Sequence, residues 1–441
     1  MTSSKPAVSL DTLVALCKRR GFIFQTAEIY GGLTGLYDFG HLGVLLKENI
    51  RHAWKQSLYN DKGEMFFLDG AVIGPEAMWV ASGHVEHFHD PMVDCMECKH
   101  RFRADHIDIN KACPNCGKYA WTPVRAFNMM FKTQVGAAEA LSSTAYLRPE
   151  TAQSIFVNFK NVMTTCRAKL PFGIAQIGKA FRNEITPKQF LFRMREFEQM
   201  ELEWFCKPED ANEMFAFWRK KRLDFYATLG FDKEKLRLRP HEKDELSHYS
   251  SQTDDVEYHF PFGWKELEGI AHRGSFDLSQ HTKHSGKDLS VFDEQTKTSF
   301  TPEVIECSVG SDRLLLTILF DSYREDEVAG ETRTYFAFAP HIAPIKAAFL
   351  PLSKKLEEPM RAIYEEVRKT IAHVQFDVAG SIGKRYRRQD EIGTPLCFTF
   401  DFDSAENGTV TVRHRDSTKQ ERIAIDAIVP YIQELLAQST R

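Results

Sequence analysis

Four cysteines in one short polar stretch form the strongest chemical signal in the sequence: Cys95-x2-Cys98 and Cys113-x2-Cys116. Two such pairs supply four thiolates, the ligand set of a closed tetrahedral zinc site. The alternative is two pairs of reduced surface thiols, which are reactive and rarely kept without a ligand. Because four thiolates leave no open position for a substrate, we expect a structural Zn2+ that holds residues 90–122 together.

A second cluster of chemically capable residues is the segment FRNEITPKQFLFRMREFEQMELEWF, in which charged and apolar side chains alternate. If the segment forms two strands joined by a loop, its charges converge on one face of a sheet. Neighbouring charges of opposite sign can bind a polyphosphate or a zwitterion. A solvated, salt-bridged hairpin explains the same pattern equally well on composition alone. The residues concerned are Arg182, Glu184, Arg193, Arg195, Phe197, Glu198 and Glu201.

This segment resembles motif 2 of the class II aminoacyl-tRNA synthetases, and the chain resembles the homodimeric glycyl-tRNA synthetase family within that class. Four further segments carry the resemblance: EIYGGLTGLYDFGHLGVLLKENI is similar to the first segment and motif 1, YLRPETAQ to the amino-acid-binding loop, ELEGIAHRGSFDL to the ATP segment, and TPEVIECSVGSDRLLL to motif 3. SGHVEHFHDPMVDC, APIKAAFLPL and IGKRYRRQDEIGTP also fit, so the resemblance covers nearly the whole chain.

The resemblance implies a fold and an activity. The implied fold is α+β: an antiparallel sheet flanked by helices, a zinc-ribbon insertion and a C-terminal α/β anticodon-binding domain. The implied reaction activates glycine with ATP to glycyl-adenylate and transfers the glycyl group to the 3′ end of the glycine-accepting tRNA. It further implies Mg2+ with ATP, and a homodimer formed through motif 1.

For ATP, the resemblance implies that Arg182 contacts the α-phosphate, where charge develops during attack, and that Arg313 contacts the γ-phosphate; these are the expected catalytic residues. Glu184 is expected to contact adenine and Phe197 to stack on it. Glu266 and Glu306 are the carboxylates that the resemblance offers to Mg2+. The full ATP-binding set that it implies is Arg182, Asn183, Glu184, Phe192, Arg193, Phe197, Glu266, Leu267, Gly310 and Arg313.

For glycine, the resemblance assigns the ammonium group to carboxylates and places an arginine near the substrate, with Arg101 as the alternative to Arg103. Three acidic residues around an empty dry cavity are unfavourable, which is a reason to expect a cationic ligand there. A closely lined pocket excludes larger amino acids by size and needs no editing domain. The implied glycine-binding set is Arg103, Glu150, Glu201, Glu306 and Ser308.

Two alternatives remain open at this stage. The chain could be a synthetase-like binding protein without catalytic activity. The presence of Arg182, Glu184, Phe197 and Arg313 argues against this, because a site that has lost its activity need not keep them. It could also be a class II synthetase for serine, threonine or proline, although the glycine-binding set leaves little room for a side chain.

Composition agrees with a large globular protein. The chain has 441 residues, of which 43% are hydrophobic and 27% charged, so two or three domains are expected and a disordered chain is excluded. The net charge of −4 excludes a general basic coat for nucleic acid. The N-terminal residues lack an apolar run long enough for a signal peptide or a membrane span, which predicts a cytoplasmic protein without membrane association.

The elements that position these residues follow from periodicity. We predict helices over 10–20, 38–57 and 207–230, and antiparallel strands over FGIAQIGKAF and EFEQMELEWF. Beyond His341 the predicted order is a strand in IKAAFLPL, a helix over 354–373, a strand in VQFDVAG, a basic turn, strands in LCFTFDF and VTVRHRD, and a helix over 423–436.

The predicted domains are 1–89, the N-terminal part of the catalytic domain with motif 1; 90–122, the zinc-ribbon insertion; 123–338, the catalytic domain with motifs 2 and 3; and 339–441, the anticodon-binding domain. In the last of these, a basic run is by itself typical of a solvated helix face. The resemblance instead favours contacts with tRNA phosphates. The run consists of Lys384, Arg385, Arg387 and Arg388.

Two minor features have ordinary interpretations. The scattered cysteines are expected to be buried small hydrophobic residues. Three histidines in SGHVEHFHDP could form a second metal site, but histidines in a loop more often hydrogen-bond or lie exposed, which is the interpretation that we favour. The cysteines are Cys17, Cys166, Cys206, Cys307 and Cys397, and the histidines are His84, His87 and His89.

Overall fold

The computed structural model describes residues 8–136, 143–247, 249–328 and 330–438. Helix 10–20 is confirmed: the Ser9 hydroxyl accepts from the Thr12 N–H at its start, and Gly21 ends it in the left-handed conformation at φ 74°. The second helix begins three residues later than predicted, because residues 37–39 pair with 23–25. The first elements are α1 (Leu10–Arg20), β1 (Ile23–Gln25), β2 (Tyr37–Phe39), α2 (His41–Leu58) and β3 (Glu64–Phe67).

The next segment contains two small antiparallel sheets. Strands β6, β5 and β7 form one, with the four clustered cysteines in the loops that follow β5 and precede β7; β4, β9 and β8 form the other. The elements are β4 (Ile73–Pro75), α3 (Glu76–Ala81), α4 (His84–His87), β5 (His89–Asp94), β6 (Arg101–Arg103), β7 (Arg125–Asn128), β8 (Lys132–Val135) and β9 (Ser143–Leu147).

The largest unit is a seven-stranded sheet in the order β12-β13-β14-β17-β11-β10-β3, antiparallel except where β3 runs parallel to β10. Its elements are α5 (Ala152–Val157), α6 (Phe159–Thr165), β10 (Phe172–Phe181), β11 (Glu196–Cys206), α7 (Ala211–Thr228), β12 (Leu236–Pro240), β13 (Gln252–Phe260), β14 (Gly263–Gly274), α8 (Phe276–Ser285), β15 (Val291–Asp293), β16 (Thr298–Phe300), β17 (Glu303–Gly310), α9 (Ser311–Ser322), β18 (Tyr323–Val328) and β19 (Glu331–Phe336).

Helices α2, α7 and α9 cover one face of this sheet and bury its apolar side chains. Trp54 of α2, Trp204 of β11 and Trp218 of α7 are completely buried in that core. The predicted strand pair is confirmed, since β10 and β11 pair antiparallel from Phe172–Phe205 to Phe181–Glu196. On the opposite face, one end of the sheet is covered by α5, α6 and α8, which bury Phe172 and Phe205, and polar side chains occupy the remainder.

The C-terminal unit is a mixed five-stranded sheet in the order β21-β20-β22-β23-β24, in which β20 runs parallel to β21 and β22 and the remaining pairs are antiparallel. Together with the seven-stranded sheet, it confirms the predicted α+β class. Its elements are β20 (Ala347–Pro351), α10 (Glu357–Val367), β21 (Val374–Phe376), α11 (Ile382–Ile392), β22 (Leu396–Phe400), α12 (Phe402–Asn407), β23 (Thr409–His414), β24 (Gln420–Ala424) and α13 (Ile428–Gln438).

Three sequence expectations are wrong in detail. The predicted basic turn is helix α11, which starts at the capping residue Ser381 and ends at left-handed Gly393. The last helix begins at Ile428, since residues 420–424 form β24 against β23. Among the scattered cysteines, Cys166 is exposed at the end of α6, whereas the other four are buried as expected.

Candidate functional site

A cavity of about 460 Å³ lies on the face of the seven-stranded sheet opposite helices α2, α7 and α9. Alternation along the strands builds it, because successive side chains point to opposite faces. On β11, Gln199 and Glu201 line the cavity while Met200 and Leu202 are buried in the core. On β17, Glu306, Ser308 and Gly310 line it in the same way.

A β-bulge in β14 brings one further carboxylate to the cavity. Glu257 pairs with Glu266 and Val256 pairs with Glu268, so Leu267 has no partner in the ladder. Leu267 is 1% exposed in the core, while Glu266 and Gly269 both line the cavity. A Cβ built on Gly269 meets nothing within 4 Å, so this glycine leaves open space for a ligand.

The structure brings most of the predicted site residues together around this cavity. Three are not among its lining residues: Asn183, Leu267 and Arg103. Arg103 lies on β6 beside the cysteine loops and pairs with Asp90 at 2.7 Å and with Asp105 at 2.7 Å. The predicted residues that line the cavity are Glu150, Arg182, Glu184, Phe192, Arg193, Phe197, Glu201, Glu266, Glu306, Ser308, Gly310 and Arg313.

One end of the cavity is acidic. Glu201 is 2% exposed and accepts hydrogen bonds from the Thr151 N–H at 2.8 Å, the Ser308 hydroxyl at 2.7 Å and the Gln199 amide at 2.8 Å. Burial and the charge of Glu150 raise the pKa of Glu201. These hydrogen bonds hold the carboxylate in place, and its charge interacts with the Arg148 guanidinium.

The pKa of Glu306, which lies on β17 opposite Glu203 of β11, is also shifted. Burial raises its pKa to about 7; the guanidinium of Arg273 opposes the shift, and the charges of Glu201 and Glu150 add to it. Arg273 is itself buried and holds Asp277 by two hydrogen bonds of 2.8 and 2.9 Å as well as Glu306 at 2.5 Å.

Glu150 completes the acidic end and behaves differently. Burial would raise its pKa, but His84, whose ring nitrogen lies 3.3 Å away, and Arg273 together hold the pKa of Glu150 below its ordinary value. Directly behind the lining, Glu203 is completely buried, and burial with the charge of Glu306 raises its pKa well above the ordinary value. The acidic end suits a cation with several hydrogen-bond donors, such as an ammonium group.

The other end of the cavity is basic and aromatic. Arg182 donates to the Pro149 carbonyl at 3.1 Å, and its guanidinium lies 5.3 Å from the centre of the Phe197 ring. Arg313 lies 4.5 Å from the centre of the Phe192 ring and 3.4 Å from the Glu266 carboxylate. Guanidinium groups with free donors beside aromatic faces suit a polyphosphate attached to a planar base.

Sequence reasoning missed several lining residues. Gln199 alternates in phase with Glu201 along β11, and that period was the signal that could have identified it. His241, Tyr249 and Asp255 come from β13 and the segment before it, where no sequence motif marked them. Asp312 also lines the cavity, directly before Arg313 on the chain.

The four clustered cysteines form a second site. The Sγ atoms of Cys95 and Cys116 are 3.6 Å apart, those of Cys98 and Cys113 are 3.7 Å apart, and all four lie within 4.8 Å of one another. A zinc tetrahedron with Zn–S bonds of about 2.3 Å requires S–S separations of about 3.8 Å, so the set fits Zn2+. Hydrogen bonds from Asn115 and from the His100 backbone lower the pKa of Cys98 to about 6, whereas at Cys116 a hydrogen bond from the Lys118 backbone is outweighed by burial and the neighbouring thiols, which raise the pKa to about 12. The fit to Zn2+ therefore rests on the geometry of the four sulfur atoms.

The histidines of SGHVEHFHDP show no sign of a second metal site. Within the described ranges of the chain, the cysteine set is the one group of potential ligands close enough to share an ion. His84 accepts or donates to the Ser82 hydroxyl at 2.8 Å and faces Glu150, so it belongs to the acidic end of the cavity.

No helix in the described part of the chain is long and apolar enough to cross a membrane.

Comparison with known proteins supplies the family evidence. Residues 131–323 match the model of the tRNA synthetase class II core domain (G, H, P, S and T), and residues 346–435 match the model of an anticodon binding domain. A glycine–tRNA ligase of Caldanaerobacter subterraneus subsp. tengcongensis is 50% identical over 97% of this chain and 99% of its own length. Those of Lysinibacillus sphaericus (50%, over 97% and 99%) and Geobacillus kaustophilus (49%, over 98% and 100%) are similarly close.

Proposed function

The chain belongs to the glycine–tRNA ligases, and from this premise we propose that the cavity joins glycine to ATP and then passes the glycyl group to tRNA. The single observation that carries the proposal is the division of one cavity into an end with three carboxylates and an end with three arginines. Glycine offers an ammonium group to the first, and its carboxylate then points toward an α-phosphate held by the second.

In the first reaction step, one oxygen of the glycine carboxylate attacks the α-phosphorus of ATP, the bond to the β-phosphate oxygen breaks, and pyrophosphate leaves. We propose that Glu150, Glu201 and Glu306 bind the ammonium group. Arg182 neutralises the charge that develops on the α-phosphate, and Arg313 with Arg193 holds the outer phosphates. Guanidiniums fixed in advance by neighbouring aromatic rings and carbonyls lose little freedom when the reaction occurs, which favours the transition state.

The adenine base is assigned to the aromatic side of the basic end. Phe197 offers a ring face for stacking, and Glu184, which also lines the cavity, offers a carboxylate to the exocyclic amine. Asn183 and Leu267 adjoin cavity residues on the chain, but their own side chains lie outside the lining, so we assign their ATP contacts to the main chain. Gly310 lies beside Arg313 and leaves space along the ligand.

Mg2+ is proposed to arrive with ATP, where it neutralises charge on the phosphates and fixes their geometry. Glu266 fits this ion: its side chain is half exposed at the cavity wall, and Arg313 approaches one of its oxygens at 3.4 Å. We assign Glu306 to the ammonium of glycine rather than to the metal, because it lies with Glu150 and Glu201 at the acidic end of the cavity. The role of Arg103 stays a prediction, since its guanidinium is paired with Asp90 and Asp105.

The proposed zinc site stabilises the insertion and has no reactive role. A Zn2+ ion bound by four thiolates has no open position for a substrate. The four cysteines also lie outside the cavity lining. The domain boundaries at 89/90, 122/123 and 338/339 likewise stay part of the proposal.

We assign the selection of glycine to the acidic end of the cavity. Glu201 and Ser308 form a fixed hydrogen-bonded floor, and a substrate side chain would collide with it or displace it. A pocket that hydrogen-bonds an ammonium and excludes carbon atoms disfavours serine, threonine and proline. Arg182 and Arg313 both line the cavity, which argues against a binding protein without catalytic activity.

In the second step, the terminal 3′-hydroxyl of tRNA attacks the carbonyl carbon of glycyl-adenylate, an ester forms, and AMP leaves. The C-terminal unit is proposed to position the tRNA through phosphate contacts. Lys384 on α11 is exposed and suits this role. Arg385 does not, because it is buried and donates to the carbonyl oxygens of Pro351 and Gly380.

Homodimer formation is proposed through the surface near α2. Ile29 and Tyr30 precede that helix and are 88% and 87% exposed, and Leu33 and Val44 add apolar area on the same segment. Large exposed apolar side chains close together are typical of interaction surfaces. Because charged tRNA is used where proteins are made, we place the ligase in the cytoplasm.

The proposal is tested by aminoacylation. Purified protein is incubated with ATP, Mg2+, total tRNA and radiolabelled glycine, alanine or serine, and acid-precipitable label is counted. We expect labelling of tRNA with glycine alone and a loss of at least about 100-fold in R182A, since one oriented charge at the transition state is worth about 3 kcal/mol. Labelling by another amino acid, or full activity in R182A, overturns the assignment.

A further inference from the structure

A buried network of charged residues adjoins the basic end of the cavity, where Asp312 reaches the lining, and extends from there to helix α2. The Lys47 ammonium of α2 is 2.5 Å from the Asp312 carboxylate of α9 and 3.6 Å from the Glu198 carboxylate of β11. Arg51, one turn further along α2, donates to Glu198 at 2.8 Å. Lys47 and Asp312 are 5% and 1% exposed, so solvent screens this network very little.

Asp312 has more than one partner. Its second oxygen accepts from the backbone N–H of Glu198 at 2.6 Å, and the neighbouring Ser311 hydroxyl donates to the Glu198 carboxylate at 2.7 Å. Helix α9 begins at Ser311, so both contacts fix its first turn against β11. The lysine is thus bonded to the residue immediately before Arg313.

Arg313 projects in the other direction, into the cavity. It donates to the Glu266 carbonyl at 3.0 Å and lies over the Phe192 ring, and the proposed function assigns it to the outer phosphates of ATP. The first turn of α9 is therefore bonded to Lys47 through Asp312, and the next residue, Arg313, places its guanidinium in the cavity. Any rotation of this first turn moves Arg313 away from Glu266 and Phe192.

We propose that Lys47 is a positioning residue for ATP, which holds the first turn of α9 through Asp312 and thereby fixes the Arg313 guanidinium. The charges support this: Lys47 and Arg51 balance Glu198 and Asp312, so loss of the ammonium leaves one buried carboxylate uncompensated. Asp312 then has to seek water or another cation, and the turn that it anchors moves with it. This inference rests on the proposed function, because it takes Arg313 as an ATP contact.

The test compares K47M with K47R and with R313A by glycine-dependent ATP–pyrophosphate exchange. Because residues that act through a packed network change coupling to a modest degree, we expect K47M to lower kcat/KM for ATP about tenfold, with KM for glycine nearly unchanged. K47R keeps the charge and is expected to retain more activity than K47M. K220M, which makes the same change at an exposed lysine paired with Asp224, is the matched control and is expected to behave as the parent protein.

The decisive measurement is the double variant. If Lys47 acts through Arg313, K47M has little further effect on kcat/KM for ATP in the R313A background, whereas independent effects multiply. The active fraction is set by titrating the adenylate formed in a single turnover, so misfolded protein does not count. D312N provides a second way to break the contact and is expected to give the same pattern.

Two results overturn the inference: multiplicative effects of K47M and R313A, or a K47M enzyme whose folded fraction has the parent's kcat/KM for ATP. A different result overturns the proposed function instead. If R313A alone leaves kcat/KM for ATP unchanged, then Arg313 is no phosphate contact, whatever K47M does.

Discussion

Glycine binding is expected to depend on pH through Glu306, whose pKa burial raises to about 7. The group is ionised in about nine tenths of molecules at pH 8 but in about one tenth at pH 6. If the ionised form binds the ammonium of glycine, KM for glycine is about tenfold higher at pH 6 than at pH 8. The sign follows from the shift, since the carboxyl gains its proton, and loses its charge, as pH falls.

The assay is glycine-dependent ATP–pyrophosphate exchange at saturating Mg2+-ATP, with KM for glycine measured at pH 6, 7 and 8. In Glu306→Gln we expect a high KM that no longer varies over this range. Glu196→Gln on the neighbouring strand, where the side chain is half exposed and pairs with Lys179, is the matched control and keeps the parent's slope. A flat KM in the parent, or a retained slope in Glu306→Gln, refutes the reasoning.

The raised pKa of Glu306 also makes the stability of the ligand-free protein depend on pH: glycine binding improves as pH rises, whereas stability decreases. Below the ordinary carboxyl value of 4.5, both folded and unfolded chains hold the proton, and the contribution to stability is fully present. Between pH 4.5 and about pH 7, the Glu306 carboxyl has lost its proton in the unfolded chain but keeps it in the folded chain. The free energy of unfolding of the ligand-free protein therefore decreases through this window as pH rises.

Three further predictions follow from other parts of the structure. Cys98→Ser is expected to lose bound zinc by elemental analysis and to unfold at lower temperature, whereas exposed Cys166→Ser keeps both; a parent protein free of zinc contradicts the assignment. Arg222→Met leaves the Glu268 carboxylate unpaired in the core and should reduce the unfolding free energy in urea by about 3–5 kcal/mol; an unchanged midpoint contradicts this. Lys384→Ala should reduce the slope of log tRNA affinity against log salt concentration by about one. An unchanged slope would show that Lys384 does not contact a tRNA phosphate.

Strand periodicity allowed much of the site to be predicted. The alternation of apolar and charged residues over 196–206 indicates a strand, but the expectation that all of its charges share one face is wrong for Glu198, which lies on the α2 side and accepts from Arg51 while Glu201 lines the cavity. A period of two is a local property, so sequence alone is enough to recover it. The two Cys-x2-Cys pairs are local in the same sense, because their spacing limits the geometry that they can form.

Features that depend on distant parts of the chain could not be predicted this way. The bulge at Leu267 arises from the register between β13 and β14, and it determines that Glu266 reaches the cavity. The pairing of Lys47 with Asp312 joins residues 265 positions apart. Helix α11 was missed because its many charged residues suggested a turn, while Ile382 and Tyr386 pack on the C-terminal sheet and stabilise the helix.

The central claim is that this cavity activates glycine, and amino-acid-dependent ATP–pyrophosphate exchange across a panel of amino acids tests it most directly. We expect exchange with glycine alone, and loss of that exchange in Arg182→Ala protein that remains folded. If folded, zinc-loaded protein supports no exchange with any amino acid, or exchanges equally well with serine or proline, the claim is contradicted.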